Sequence, residues 1–482
     1  MNMNTHSLWK NLNSKETSKI SQNLDTEVLI IGGGITGLQV LYQLKKEGTD
    51  ALLVERNLCG EGVTSKSTAK ITYLQNDTID KIANLVKEEK AKEYILSQIY
   101  ATKLLRDIIE SESIDCDLAK ADSYLFADTK KGVHRLNYLA ELLKECHITY
   151  EELKTVPFEK SVKKAIKVRD TYVFHPIKFT DALKEKFRDS IYENSKVEKI
   201  EKQGNYYISH VGNYQIKSHY VVLATHYPYF LFPYMLPLKT HIEVSYLGAK
   251  KVLEKENYSA INMDSKTISL RYHSDGKDNY LIYLLNSFKS PDVKDITANF
   301  KELKERDDFD YLWSNNDIIT NDHMPLIGPL SKKEDKFLIA TGYNTWGMTN
   351  STLAGKIIKD MIVGNRDAMT NLFLPYRKLN LAKLVRFPLD MSCNLKSYLI
   401  SNGQNRNNSS VSYTKIDGQN VAIYRDSDGV EHVVLNRCPH MKCGLILNEE
   451  EGTWDCLCHG SRYTLDGKCI EGPSNLDISF KR

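Results

Sequence analysis

The chain has 482 residues, enough for about three domains with large buried cores. Its hydrophobic content of 41% and charged content of 26% are typical of a soluble globular protein. A net charge of +3 is close to balance and argues against nucleic acid or an anionic membrane as the principal partner.

The first 24 residues are predicted to form a polar tail in which Leu8 and Trp9 are the one apolar pair. This segment has neither the apolar core nor the cleavage site of a secretory signal, so we expect a cytoplasmic protein. The longest apolar stretch, residues 220–238, contains three prolines that argue against a membrane-spanning helix. It is interpreted as a buried strand followed by an irregular aromatic loop.

Residues 27–55 predict a dinucleotide-binding unit of strand, turn, helix and strand. The turn fits G-x-G-x-x-G: Gly32 permits tight turning, Gly34 lets a pyrophosphate approach the helix N-terminus, and Gly37 lets helix and strand pack closely. Glu55, at the end of the second strand, can accept from an adenosine ribose hydroxyl. A glycine-rich turn without a ligand is the alternative, but all parts of the unit agree with the motif.

The motif alone does not separate FAD from NAD, so the residues after it must decide. No second G-x-G-x-x-G and no paired cysteines follow, which argues against a disulfide reductase with a separate nicotinamide domain. The next loop, residues 62–70, is small, hydroxylated and basic. It resembles the corresponding segment of FAD-dependent oxidoreductases of the D-amino acid oxidase and glycine oxidase type, although a solvated loop is the alternative. The residues that this resemblance places at FAD are Thr64, Ser67, Thr68 and Ala69.

The next part of the chain alternates helices and strands. Apolar spacing predicts a long amphipathic helix or a pair over 78–113, a strand over 122–128, a helix over 133–146 and a helix from Asp181. The resemblance includes Phe174-His175-Pro176, which is similar to the hinge where such oxidases return to the nucleotide domain.

Two further contacts with FAD are expected from the resemblance, at Val197 and Thr225. Thr225 ends a predicted buried parallel strand, residues 221–225. The family commonly has Ala-Thr-Gly here, whereas this chain has His226 in the third position. His226 either tunes the flavin or is a packed, hydrogen-bonded core residue.

Residues 239–315 alternate strand-like segments with turns, which predicts an antiparallel sheet. In the family it resembles, such a sheet forms the substrate side of the pocket. Arg271 is the one cation on a strand that could hold a substrate carboxylate through two hydrogen bonds, and a solvent-facing arginine is the alternative. Glu243 and Tyr246 are weaker candidates.

Residues 320–351 resemble the last FAD-contacting part of the D-amino acid oxidase family. A strand over 337–340 leads into a turn with Gly342 and Gly347 and then into a predicted helix over 352–363. Backbone N–H groups and the positive end of the helix dipole would lie beside the cofactor. Both glycines, with Met348, are expected at FAD, and loop glycines without this role are the alternative.

Near the C-terminus, Cys438-Pro439-His440 is followed after fifteen residues by Cys456-Leu457-Cys458-His459. This fits C-x-H and C-x-x-H, two loops that each offer one thiolate and one imidazole to a [2Fe–2S] centre. Cys438 and Cys456 would bind one iron, and His440 and His459 the other. The match resembles a Rieske domain over about residues 411–478, and a zinc site is the alternative.

The resemblance extends to Rieske domains of the cytochrome bc type. It implies a disulfide between Cys443 and Cys458 that holds the two loops together, which would be unusual in the cytosol. It also implies that the hydroxyls of Ser461 and Tyr463 donate to cluster sulfurs and raise the reduction potential. Cys469 matches no ligand position and is expected to pack.

The predicted fold is an α/β FAD-binding domain of the Rossmann-like, glutathione-reductase type with an inserted α+β substrate domain and a small all-β Rieske domain. The predicted boundaries are 1–24 for the tail, 25–365 for the oxidoreductase, 366–410 for a linker and 411–482 for the Rieske domain. The FAD-binding pieces are 25–75, 165–235 and 320–365, and the substrate-domain pieces are 76–164 and 236–319.

The resemblance implies an enzyme that oxidises a C–N bond of an amine or amino acid at FAD and passes electrons through the cluster to an external acceptor. No catalytic base is predicted, because orientation over a flavin needs little from side chains. The alternative is an electron-transfer module reduced by a protein partner. A Rieske oxygenase lacks support, since no 2-His-1-carboxylate set in a mononuclear-iron context is evident.

Overall fold

A computed structural model describes residues 6–9, 14–158, 162–228, 239–290, 296–377 and 410–480. The predicted aromatic loop, residues 229–238, and most of the predicted linker, residues 378–409, lie outside the described residues. Within the described part of the chain, no helix combines the length and apolar character needed to cross a membrane.

The helices are α1 (Ile35–Lys46), α2 (Asn76–Leu85), α3 (Glu88–Ser111), α4 (Lys130–Glu145), α5 (Pro176–Lys186), α6 (Ile296–Arg306), α7 (Gly347–Val363) and α8 (Ala368–Leu372). The strands before the C-terminal domain are β1 (Leu24–Ile31), β2 (Ala51–Val54), β3 (Lys70–Ile71), β4 (Ala119–Lys120), β5 (Asp122–Ala127), β6 (Glu151–Leu153), β7 (Lys164–Val168), β8 (Tyr172–Val173), β9 (Ile191–Tyr192), β10 (Lys199–Gln203), β11 (Tyr206–Val211), β12 (Tyr214–Leu223), β13 (Thr240–Val252), β14 (Tyr258–Asn262), β15 (Ile268–Ser274), β16 (Asn279–Lys289), β17 (Tyr311–Thr320), β18 (Leu326–Pro329) and β19 (Phe337–Thr341). The C-terminal strands are β20 (Val411–Ile416), β21 (Gln419–Arg425), β22 (Glu431–Leu435), β23 (Ile446–Asn448), β24 (Thr453–Asp455), β25 (Arg462–Thr464) and β26 (Cys469–Glu471).

The first large sheet is centred on β1, which runs parallel to both β2 and β12. Its order is β10-β11-β12-β1-β2-β9. The first half of β12 pairs antiparallel with β11, and its last residues pair parallel with β19. Helices α1 and α7 pack together on this sheet, and their apolar residues form the main core with it. This is the predicted α/β arrangement.

The second large sheet has the order β17-β13-β16-β15-β14-β5-β7-β6. Its pairs are antiparallel, as predicted, with one exception: β14 runs parallel to β5. The exception arises because β5, β6 and β7 come from an earlier stretch of chain and join the edge of a sheet built from residues 240–320.

Of the two alternatives predicted for residues 78–113, the structure contains the pair, α2 and α3. Helices α4, α5 and α7 begin three to five residues earlier than predicted. Helix α5 begins at Pro176 rather than at Asp181, because proline suits the first helical position and the His175 ring accepts from the Lys178 N–H at 3.3 Å. Helix α7 begins at Gly347, five residues early. Its polar first turns, which suggest a loop from sequence alone, are buried rather than solvated.

The C-terminal domain contains two small antiparallel sheets, β20-β21-β22 and β23-β24-β25-β26. Its core contains the apolar faces of these strands, five of its cysteines and Trp454, whose indole N–H donates to the Leu465 carbonyl at 3.0 Å. This is the predicted all-β domain.

The chain segments on either side of the oxidoreductase core are more closely packed than their compositions predict. Trp9, in the predicted polar tail, is fully buried, and its indole N–H donates to the Ser67 carbonyl at 2.8 Å. At the start of the predicted linker, α8 is capped by Asp367, and Phe373 joins the main core. The described parts of both segments, residues 6–9, 14–24 and 366–377, therefore belong to the folded unit.

Substitution of Trp9 tests whether this N-terminal contact stabilises the fold. Trp9→Ala should lower the free energy of unfolding by roughly 3–5 kcal/mol through the lost packing. Trp9→Phe, which removes the hydrogen bond and part of the ring, should cost more than about 1 kcal/mol but less than Trp9→Ala. Denaturant unfolding followed by circular dichroism measures both. The control is Leu253→Ala at a 95% exposed position, and a Trp9→Ala protein as stable as that control would contradict the contact.

Candidate active site and metal centre

A cavity of about 420 Å³ lies between the two large sheets, a size typical of small-molecule sites. Its walls come from the end of β1, the loop after β2, the short 3₁₀ turn of residues 63–66, and β13 and β17 of the second sheet. Residues 470–472 of the C-terminal domain complete the lining.

The glycine motif forms part of the cavity wall. Gly32 has φ of +114°, and a Cβ there would lie 2.6 Å from the Ala224 carbonyl oxygen. Helix α1 begins directly afterwards without a side-chain cap, although the Ile35 N–H donates to the Thr64 hydroxyl at 3.1 Å. Glu55 accepts from the Gly33 N–H at 2.7 Å. A close backbone, a helix N-terminus and a carboxylate thus meet here, as a dinucleotide requires.

Most residues predicted to contact FAD line this cavity. They are Gly32, Gly34, Glu55, Thr64, Ser67, Thr68, Val197, Thr225, Gly342, Gly347 and Met348. Gly37 and Ala69 do not line it. Gly37 packs so tightly that a Cβ would lie 1.9 Å from the Gly32 carbonyl oxygen, and Ala69 is fully buried.

The turn before α7 forms a further part of the wall. Gly342 has φ of +71°, and a Cβ there would lie 2.4 Å from the Thr320 methyl group. Gly347 is the first residue of α7, whose N-terminus also has no side-chain cap. Two uncapped helix N-termini therefore border one cavity, and these residues fit FAD.

Arg271 does not line the cavity, so the structure does not support its predicted role of holding a substrate carboxylate. It is not a surface arginine either, because its side chain is fully buried. Its guanidinium donates to the carbonyls of Ala69 and Phe174 at 2.6 and 3.2 Å and lies 5.2 Å from the Trp9 ring. Arg271 thereby stabilises the loop that ends at Ala69 beside the cavity.

His226 lies in the cavity wall with φ of +61°. Its Nε2 is buried and has no hydrogen-bond partner within the described part of the protein. Burial lowers the pKa of His226 to about 4, against the opposing charge of Glu471. The ring is therefore neutral near pH 7. Because Nε2 has no partner among the described residues, His226 differs from the packed, fully hydrogen-bonded core histidine that was one of the two alternatives.

The four predicted cluster ligands meet at the tip of the C-terminal domain. The rings of His440 and His459 lie 4.9 Å apart, and their Nδ1 atoms are buried without hydrogen-bond partners among the described residues. Cys438 and Cys456 are buried free thiols. Two thiols and two unbonded imidazole nitrogens fit the ligand set of a Rieske centre.

Three neighbouring groups surround these ligands. The structure contains a disulfide between Cys443 and Cys458, and their sulfurs lie within 4.8 Å of the Cys456 sulfur. The Tyr463 hydroxyl lies 3.2 Å from the Cys438 sulfur. Hydrogen bonding from Cys456, and then from Tyr463 and Ser461, lowers the pKa of Cys438 despite burial. This arrangement agrees with hydroxyl donors to a cluster sulfur.

Strands β13 and β17 contact both the cavity and the C-terminal domain. Consecutive residues of both strands line the cavity, Ile242 and Glu243 on β13 and Asn315, Asn316 and Asp317 on β17. Asn316 also contacts the C-terminal domain, because its amide donates to the Gly460 carbonyl at 2.9 Å. Gly460, next to the predicted ligand His459, lies so close that a Cβ would be 3.1 Å from Ile242.

Glu471 of the C-terminal domain makes charged and hydrogen-bonded contacts with the oxidoreductase domain. It forms a salt bridge with Lys66 of the cavity loop and accepts from the Asn316 amide at 2.9 Å. Burial alone would raise its pKa, but Lys66 and Arg462 lower the pKa to about 2. Glu471 is therefore ionised and paired across the boundary.

The cavity wall also contains two facing carboxylates, Glu243 and Asp317, at opposed positions of β13 and β17. Burial, and then Glu243, raises the pKa of Asp317 to about 7. The sequence gives little indication of this carboxylate pair. Asp317 is the single charge in an otherwise uncharged strand, and no local pattern relates it to Glu243.

Comparison with known proteins agrees with both sites. The family model described as DAO, FAD dependent oxidoreductase, matches residues 27–361, and the Rieske [2Fe-2S] domain model matches residues 397–479. The fold and sites thus define a FAD-dependent oxidoreductase with a Rieske centre. The chain belongs to the DAO family of FAD-dependent oxidoreductases. Its cofactors are FAD and a [2Fe–2S] cluster, not the alternative zinc.

Relatives share part or all of this architecture. A Bacillus subtilis protein, YhfW, whose name describes a Rieske 2Fe-2S iron–sulfur protein, is 28% identical, and the match covers 94% of this chain and 93% of that protein. Gamma-glutamylputrescine oxidoreductase of Escherichia coli is 22% identical, covering 73% and 88%. L-Proline dehydrogenase from P. horikoshii has a TM-score of 0.61 at 16% identity, covering 74% and 98%. Glycine oxidase from Geobacillus kaustophilus has a TM-score of 0.60 at 14% identity, covering 74% and 100%.

The hydroxyls at the cluster should set its reduction potential. Tyr463→Phe and Ser461→Ala should each lower the potential without loss of iron, because a donor to sulfur stabilises the reduced cluster. A redox titration followed by electron paramagnetic resonance, with iron analysis, measures this. Tyr424→Phe, on β21, is the control. Unchanged potentials in both variants would contradict the hydroxyl contacts.

The pairing of Glu471 should make stability depend on acid. Its folded pKa lies below the ordinary value of 4.5, so the stabilisation is complete above about pH 4.5 and is lost as the pH falls toward 2. The loss should be roughly 3 kcal/mol. Glu471→Gln should be less stable than wild type at neutral pH and lose less stability on acidification, measured by denaturant unfolding. A parallel pH dependence in the two proteins would contradict this pairing, and Glu254→Gln, at an exposed carboxylate, is the control.

Proposed function

We propose that this protein oxidises a C–N bond of an amine or amino acid at FAD and delivers the electrons through its Rieske cluster to an external acceptor. Bound FAD would accept a hydride equivalent, and the cluster would accept single electrons.

The observation that carries the proposal is the wall shared by the two sites. Asn316 of β17 lines the FAD cavity, and its amide also donates to the carbonyl of Gly460 in the cluster loop. Tyr227 lines the same cavity, and its ring centroid lies 6.2 Å from that of His440. A cluster ligand is thus one aromatic ring away from the cavity, which favours direct transfer between the sites.

The protein side chains would act by binding and orienting. The glycine motif and the uncapped N-termini of α1 and α7 would hold the cofactor, and Ile470, Glu471 and Gly472 form part of the cavity lining. Positioning of this kind supplies much of the rate acceleration in flavin chemistry. We assign no catalytic base.

The names of related proteins support the C–N bond as the reacting group. They include gamma-glutamylputrescine oxidoreductase, L-proline dehydrogenase and L-amino acid deaminase from Proteus vulgaris. An anaerobic screen of amines and amino acids, followed by loss of flavin absorbance, tests the proposal directly. Reduction of the flavin by one of these compounds supports it. Reduction by a partner protein alone would show an electron-transfer module instead.

Removal of the cluster should separate the two half-reactions. Cys456→Ser should lose iron but keep FAD, because the glycine motif is untouched. Substrate should still reduce its flavin in one anaerobic turnover, whereas steady-state activity with a one-electron acceptor should fall, since tethering makes the cluster the favoured exit for electrons.

The matched control is Cys146→Ser, at a free cysteine in the other domain. It should keep both cofactors and full activity. If Cys456→Ser retains unchanged turnover with the one-electron acceptor, the flavin discharges directly and the cluster does not carry the electrons.

A further inference from the structure

The cavity wall formed by β13 and β17 has a distinct acidic surface. Glu243 and Asp317 face one another across the strand pair, and Asn315 lies two residues from Asp317 on the same face. All three residues line the cavity.

The charge on this surface is held in place by its neighbours. Burial would raise the pKa of Glu243, but hydrogen bonding to His241, and to Ser287 at 3.1 Å, helps to lower it to about 2. Glu243 is therefore ionised. Asp317, with a pKa of about 7, gains its charge only partly at neutral pH because burial and the charge of Glu243 oppose it. A cation between the two would relieve this repulsion.

Asn315 adds an independent sign that a ligand is bound here. Its side chain is 6% exposed, and its Nδ2 donates to Asp317 at 3.1 Å, which fixes the amide orientation. Its Oδ1 is then a buried acceptor that has no partner among the residues the structure describes. Buried acceptors are rarely left without a donor, so a ligand N–H would complete this group.

The cations of the cavity are already engaged. Lys66 pairs with Glu471, Lys81 lies 2.9 Å from Asp77, and Arg56 donates to the Ile470 carbonyl at 2.7 Å. Lys70 donates to Ser269, and burial beside Arg271 lowers its pKa to about 7. Nearby His323 is neutral, because burial lowers its pKa to about 3. Among the described lining residues, every lysine and arginine thus has an acceptor, and a substrate carboxylate would lack a free cation.

We propose that Glu243, Asp317 and the Asn315 carbonyl bind an ammonium group of the substrate, so that the enzyme takes cationic aliphatic amines in preference to compounds carrying a carboxylate. The inference rests on the proposed amine or amino acid oxidation for its link to turnover, but the binding site itself does not. An ammonium presents three N–H donors, which matches three converging oxygen acceptors.

Two probes of the same shape and opposite charge test the site without turnover. In tert-butylammonium, the carbon bonded to nitrogen has no hydrogen, so it cannot be oxidised at the C–N bond, and pivalate replaces the ammonium with a carboxylate. Titration of the holoprotein about one pH unit above the Asp317 pKa, by calorimetry and by the shift of flavin absorbance, should show binding of tert-butylammonium at least about 10-fold tighter than pivalate. Equal binding, or tighter binding of pivalate, would overturn the proposal.

Variants assign the binding to these residues. Glu243→Gln and Asp317→Asn preserve shape and should each weaken tert-butylammonium binding about 10- to 100-fold while pivalate binding stays the same or improves. Glu254→Gln makes the same charge change at an exposed position and should bind both probes as wild type does. Circular dichroism and FAD content show that each variant is folded. Wild-type affinity in both cavity variants would overturn the assignment.

The two proposals fail in different ways. If tert-butylammonium binding depends on Glu243 and Asp317 but neither amines nor amino acids reduce the flavin, the ammonium site stands and the proposed oxidation fails. If amino acids reduce the flavin while the two probes bind equally, the proposed oxidation stands and the ammonium site fails.

Discussion

One buried carboxylate specifies how the two redox domains of this protein meet. Glu471 lies on β26 of the Rieske domain, yet its partners are Lys66 beside the FAD cavity and Asn316 on β17. A carboxylate removed from water costs several kcal/mol unless it is paired and hydrogen-bonded. The docked arrangement supplies both partners. Displacement of the Rieske domain would therefore leave Glu471 and Lys66 without their ion-pair partners. This junction therefore places the Rieske domain directly beside the loop that lines the cavity.

The second constraint is that β13 and β17 contact both the cavity and the Rieske domain. Glu243 and Asp317 line the cavity, and so do Ile242 and Asn316, which also contact Gly460 of the Rieske domain. The wall of the flavin cavity and the docking surface of the Rieske domain are thus built from the same pair of strands.

The positive charges of the oxidoreductase domain support the fold more than the substrate. Arg271 lies under Trp9 and holds the carbonyl of Ala69, so it fixes the loop that borders the cavity instead of entering it. Lys66 is committed to the junction with Glu471. The second-sheet wall of the cavity consequently has two carboxylates without a lysine or arginine partner and one unpaired acceptor, the Asn315 Oδ1, among the described residues. This charge distribution is the basis of the proposed preference for an ammonium group.

Local patterns were enough to identify the glycine motif and the Cys/His pairs, since each is confined to a short stretch whose spacing is dictated by covalent geometry. They determined the fold class and both cofactors. The sequence could not predict that Glu243 and Asp317 are neighbours, because they are remote in sequence and are brought together only by the register of β13 and β17. The burial of Arg271 and Trp9 depends on which surfaces pack against them, and the pairing of Glu471 depends on domain docking. The sequence by itself thus determined the chemistry of the cofactors, whereas the charge of the substrate wall and the junction of the domains were decided by contacts between distant segments.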